Sequence, residues 1–148
     1  MEHMRGEIRI EAPVDHVWKF LCDTSRWNDW MPRGEFSDWS GPYDQIGTTY
    51  AWKMKLMGFE MKGTGTVLEV EPLKLIHEHT DQGPQDTYFR FEPEGDTTRM
   101  IVESDYEIPG HVPGFIKNLM SKAGAERQAR HLLEDFKALA EATVPVPA

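Results

Sequence analysis

Several kinds of chemistry are hard to reconcile with what this chain lacks. It has one cysteine, Cys22, so it can form no intrachain disulfide and no cysteine-rich metal site. No serine stands in a G-x-S-x-G turn, and no glycine-rich loop of the phosphate-cradling kind is present. No apolar run reaches the roughly 18 residues that a membrane-spanning helix needs. The first ten residues, Met1 to Ile10, are charged and lack the apolar core of a signal peptide. Basic residues are in deficit too: 16 Lys and Arg face 25 Asp and Glu, a formal charge of −9. Nucleic acid and anionic membranes both call for a basic face, so the balance argues against either partner. These absences predict a disulfide-free cytoplasmic protein that does not insert into membranes. Nothing in the chain requires a cofactor.

What is present reads as an ordinary folded protein. A length of 148 residues suits one domain spanning residues 1–148. At that size folding buries about 68–70% of the surface of the unfolded chain, which permits a sizeable core. With 39% hydrophobic and 28% charged residues, disorder is not expected.

Alternation dominates the first two thirds of the chain. Over Arg5 to Glu11, Ile8 and Ile10 face one way and Glu7, Arg9 and Glu11 the other, which predicts a strand with one buried face. Ala12-Pro13 breaks it, and Val14, Val17, Trp18 and Leu21 then recur at helical spacing to about Cys22. A second short helical turn follows over Arg26–Trp30, ended by Pro32. Six further strands are predicted: Phe36–Ser40, Gly47–Met57, Phe59–Glu71, Lys74–Thr80, Thr87–Phe91 and Thr98–Ile108. Short turns join most of them, as in a meander. Gly63 and Gly65 lie on one face of their strand and point to strong curvature, or to space kept open for something large. From Pro113 to Ala142 there is no proline, and Phe115, Leu119, Ala123, Leu133, Phe136 and Ala140 keep a helical period. One helix of about 30 residues, roughly 45 Å long, is predicted there. The proline-rich end, Thr143–Ala148, is expected to fray.

The order is strand, two short helices, six strands, long helix. It resembles the helix-grip fold of the START-like and birch-pollen-allergen-like superfamily, SRPBCC, in its polyketide cyclase/dehydrase-like branch. The opening Ile8-Arg9-Ile10-Glu11-Ala12-Pro13-Val14-Asp15-His16-Val17-Trp18 is similar to that family's alternating strand, "AP", acidic residue and "VW". Trp27-Asn28-Asp29-Trp30-Met31-Pro32 looks like its second helix, and Gly47-Thr48, Val67–Pro72 and Thr97–Met100 stand where its strand signatures stand. The glycine-rich loop of the pollen-allergen branch is missing, and Gly41-Pro42-Tyr43-Asp44-Gln45-Ile46-Gly47 replaces it. The resemblance implies an α+β fold: a seven-stranded curved antiparallel sheet around a long C-terminal helix, with a ligand pocket between them.

In that architecture Tyr50, Trp52, Met54, Phe89, Phe91, Met100, Val102 and Tyr106 would line the concave sheet face, with Leu119 and Ala123 opposite on the helix. Aromatic and Met linings suit an apolar ligand of polyketide, lipid or aromatic type. A continuous 100° helical wheel puts Glu126 and Arg130, an i,i+4 pair, inside the stripe of Phe115, Leu119 and Leu133. Charges on an inward face need pairing or water, so the two are expected to anchor a polar ligand group or to form a structural ion pair. Tyr106, Glu126 and Arg130 are the candidate catalytic residues, acting mainly by confining a reactive chain and steering protons. His77 and His79 share a face but lack an evident third ligand, so no metal site is expected. Cys22, beside apolar residues, is expected to be buried and inert. A different class, a protein-interaction module such as a chaperone-ATPase activator of the same fold, predicts a filled core and exposed Trp27, Trp30 and Trp39. The alternative for these tryptophans is a lid over the pocket. A homodimer is compatible with either class.

Overall fold

Side-chain alternation is realised as one sheet in the computed structural model, which describes residues 1–145. Its strands are β1 (Glu2–Ile10), β2 (Gly34–Ser37), β3 (Thr49–Leu56), β4 (Phe59–Glu71), β5 (Leu75–Thr80), β6 (Gln85–Glu94) and β7 (Thr97–Tyr106). The order across the sheet is β1-β7-β6-β5-β4-β3-β2, and every pairing is antiparallel. Strands β2 to β7 form the expected meander, and β1 joins it by pairing with β7.

Two strands depart most from expectation: β2 begins two residues before Phe36 and ends three before Ser40, and β6 extends beyond Thr87–Phe91 at both ends. Pairing with β7 along its whole length overrides the polar residues and Pro93. Pro93 is tolerated because pairing with β5 stops at Arg90, so its missing N–H faces an unpaired edge. The one irregularity in β4 falls at Leu68, where the register shifts between Val67 and Glu69, and not at the glycines.

Gly63 and Gly65 have a different use. A Cβ on Gly65 would run into the Tyr50 ring, and one on Gly63 would meet Asp81 and the Trp52 ring. The room these glycines leave is filled by the protein's own aromatic side chains.

Helix α1 (Val14–Cys22) buries Val17, Trp18, Phe20 and Leu21. A 3-10 turn (Thr24–Arg26) leads into the four-residue α2 (Trp27–Trp30). The long C-terminal helix is not continuous. Helix α3 (Gly114–Met120) ends at Ser121, whose φ of −60° and ψ of 160° are extended, and α4 (Lys122–Ala142) starts anew. Ser121 caps α4, its Oγ accepting from the Gly124 N–H at 3.2 Å. Gly124 is required because a Cβ there would press on the carbonyls of Asn118 and Leu119. Helix α4 lies chiefly along β1.

Part of the expected fraying does not occur. The Thr143 hydroxyl donates to the Leu139 carbonyl at 3.0 Å, and His16 Nε2 reaches the Ala140 carbonyl at 2.8 Å. Residues 146–148 lie outside the described residues. Among the described residues, no helix is long and apolar enough to cross a membrane.

Candidate ligand-binding site

The concave face of the sheet, α3 and the first half of α4 enclose a hollow of about 330 Å³, with Trp27, Trp30 and Phe36 closing one end. A second recess of about 280 Å³ shares Trp30, Met31, Met54, Leu56, Gln128 and Leu132 with the first and is rimmed by Arg33, His131 and Asp135.

Of the residues expected from sequence, Tyr50, Trp52, Met54, Phe89, Met100, Val102, Tyr106 and Leu119 border the hollow. Phe91 does not. It stands edge-on to Trp18 at 5.3 Å and fills the core beneath α1. Ala123, Glu126 and Arg130 also lie away from the hollow. Ala123 and Arg130 are exposed, and Glu126 is half-buried and pairs with Lys122 at 3.6 Å, not with Arg130. The reason is the interruption at Ser121. A wheel run straight through from Phe115 to Leu133 assigns α4 the wrong phase, and Phe115 is itself 38% exposed. The true inward stripe of α4 is Ala125, Gln128, Ala129, Leu132, Leu133 and Phe136.

Tyr106 borders the hollow, but its hydroxyl is committed. It donates to the Met120 carbonyl at 2.5 Å, where α3 ends, and burial raises its pKa. Gln128 Nε2 donates to the Leu119 carbonyl at 2.9 Å, so the same helix end is held from both sides.

The residue that sequence reasoning passed over is Glu78. It belongs to the inward set of β5 with Ile76 and Thr80, and it is buried although it carries no cation partner. Its Oε2 accepts from the Tyr50 hydroxyl at 2.7 Å. Burial pushes its carboxyl up to about 7, against the opposing effect of the Tyr50 hydrogen bond and the nearby Tyr43 hydroxyl. Tyr43 Oη is fully buried and has no partner in hydrogen-bond geometry among the described residues. Burial and then the Glu78 charge push both tyrosines well above their ordinary range. The arrangement is an acid poised near neutrality in an otherwise largely apolar hollow, a combination suited to proton transfer. The signal for it was in the sequence: strict alternation places Glu78 with Ile76, opposite to His77 and His79.

Those histidines are on the convex face. His77 stacks on Tyr88 at 4.2 Å, with Nε2 2.8 Å from Asp86 and Nδ1 3.2 Å from Glu69. Cys22 is partly buried, and burial pushes its thiol up to about 12. The tryptophans are not a surface patch. Trp27 and Trp30 are 2% and 4% exposed, and Trp39 stacks on Tyr50 at 4.3 Å. The indole N–H groups of Trp30 and Trp52, in side chains that border the hollow, are buried without an acceptor among the described residues.

Three solved structures are similar in fold. TTHA0849 from Thermus thermophilus is 18% identical with a TM-score of 0.78, covering 97% of this chain and 100% of its own. The Zhui aromatase/cyclase from Streptomyces sp. R1128 is 18% identical with a TM-score of 0.76, over 98% and 96%. A START superfamily protein from Mycobacterium smegmatis is 17% identical with a TM-score of 0.72, over 96% and 99%. No curated protein matches the chain significantly in sequence. The family model described as "Polyketide cyclase / dehydrase and lipid transport" matches residues 1–141. With a helix-grip sheet folded around its C-terminal helices and a match over nearly its whole length, the chain belongs to the polyketide cyclase/dehydrase and lipid transport family.

Proposed function

We propose that the hollow is a ligand pocket in which the protein binds a small, mostly apolar molecule, and that Glu78 with Tyr50 moves or holds a proton on it, as a cyclase/dehydrase-like reaction needs. The observation that carries this reading is Glu78 itself. A carboxyl buried without a cation is costly to keep unless its environment serves a purpose. A group titrating near neutrality can give and take a proton at working pH, and a hollow walled by sheet and helices holds reacting atoms together. The aromatase/cyclase among the similar folds supports the reading. In this account the chain acts as one domain in the cytoplasm, without a cofactor.

The interaction-module reading needs exposed tryptophans, and the burial of Trp27 and Trp30 removes the surface it would use.

Native mass spectrometry of protein purified from its own host tests the proposal. A small-molecule adduct that is lost on denaturation is expected. Protein free of adduct, together with no quenching of tryptophan fluorescence by ethylnaphthalene, would count against a ligand pocket.

A further inference from the structure

The wall of the hollow carries a polar row. Register sets Glu78 of β5 opposite Thr87 of β6, and Thr87 opposite Ser104 of β7. Neighbouring strands lie about 4.8 Å apart, so the three side chains form a line across the concave face at that spacing. The next level on one side is Thr80, Gln85 and Tyr106. Toward the other end the levels turn apolar, with Ile76, Phe89 and Val102.

The row has a hydrogen to spare. Thr87 Oγ1 and Ser104 Oγ are 3.2 Å apart and share one hydrogen bond, whichever of them donates. With its amide oriented so that Nε2 faces the pair, Gln85 donates to both hydroxyls, at 3.3 and 3.2 Å, and takes no hydrogen from either. Two hydroxyls carry two hydrogens, and the mutual bond uses one. No acceptor among the described residues takes the other. Both side chains are buried, at 8% and 1% exposure, and both border the hollow. A buried hydroxyl hydrogen without an acceptor is unfavourable, and a ligand oxygen would relieve it.

The charge around the row narrows the class of ligand. Glu78 and Asp81 border the hollow, and among the described residues the one lysine or arginine in its lining is Lys53, which lies 3.8 Å from the exposed Glu35. An anionic head group beside the row would meet the Glu78 carboxyl, and none of the row's own residues is cationic.

We infer that the Thr87–Ser104 pair, flanked by Glu78, is a subsite that reads an uncharged carbonyl: the ligand is a neutral apolar ring or chain compound bearing a ketone-type oxygen, and carboxylates are refused. The inference rests on the reading of the hollow as a ligand pocket and narrows it to one side of the family's range, away from free fatty acids.

Three probes of nearly equal shape test it by tryptophan quenching or calorimetry: acetylnaphthalene, ethylnaphthalene and naphthoate. The ketone is expected to bind at least about fivefold more tightly than its ethyl counterpart, the worth of one buried hydrogen bond, and naphthoate most weakly of the three. The double variant T87V/S104A should abolish the advantage of the ketone over ethylnaphthalene. The comparison on the unmodified protein needs no variant, so it stands even if the double variant folds poorly. Equal binding of ketone and ethyl compound, tightest binding of naphthoate, or a ketone advantage that survives T87V/S104A would each overturn the subsite while leaving the pocket intact. Failure of all three probes to bind would overturn the pocket reading and the subsite with it.

Discussion

The two ends of one curved sheet have been used in opposite ways. Beneath α1 the space is filled: Trp18 meets Phe91, Phe20 meets Phe136 at 5.0 Å, and Ile10, Val17 and Leu21 are fully buried. Beneath α3 and the start of α4 the same face is hollow and bordered by Tyr50, Glu78, Thr87 and Ser104. The strands are shared between the two ends, so sheet curvature alone does not make the cavity. What differs is the side chain offered from the helical layer: large aromatics from α1, and the alanines Ala125 and Ala129 among the residues from the first turns of α4. Small residues on a helix above a concave sheet leave the space that large ones would fill.

Three substitutions press on this contrast. Trp18→Ala at the filled end should cost about 3–5 kcal/mol of stability in urea denaturation, as large-to-small changes in a packed core do. A loss below about 1 kcal/mol would mean that this end is not tightly packed.

Glu78→Gln probes the hollow end through pH. The carboxyl titrates near 4.5 when unfolded and at about 7 when folded. Ionisation is therefore resisted only in the folded state, so its favourable effect is complete below about pH 4.5 and is lost as pH rises to about 7. The difference is on the order of 3 kcal/mol. The thermal midpoint of the unmodified protein should fall between pH 5 and 7.5, and the Gln variant should lack that component. Identical pH profiles for the two proteins would show that Glu78 is not held in the environment described.

The smallest stability effect is expected for Ala125→Leu, which adds bulk where there is room. Stability should change by less than about 1 kcal/mol while ethylnaphthalene binding weakens at least about tenfold. A large destabilisation would mean that the space is already occupied.

The contrast between the ends also shows what could be read from the sequence. The strand order and most strand limits were legible because period-two alternation survives in nearly every strand, and β4 matches at both ends. The concave-face aromatics followed from the same alternation. The helical side of the site was not legible. Ser121 interrupts the helix without proline, by a cap and a close helix approach at Gly124, and the apolar period on either side looks continuous. Glu126 and Arg130 were misplaced for that reason alone. Glu78 was missed for another: a glutamate between two histidines in a polar stretch reads as solvent-facing by composition, and only strict alternation with Ile76 says otherwise. Its partner in space, Tyr50, is two strands away, a relation fixed by register across β3, β4 and β5.

The contact of Gly65 with the Tyr50 ring joins two positions into one unit of inheritance. A side chain gained at 65 would force the ring at 50 out of its place, and with it the hydroxyl that restrains Glu78. Descent with an altered pair would therefore change the proton chemistry of the pocket in one step, without a mutation at the acid.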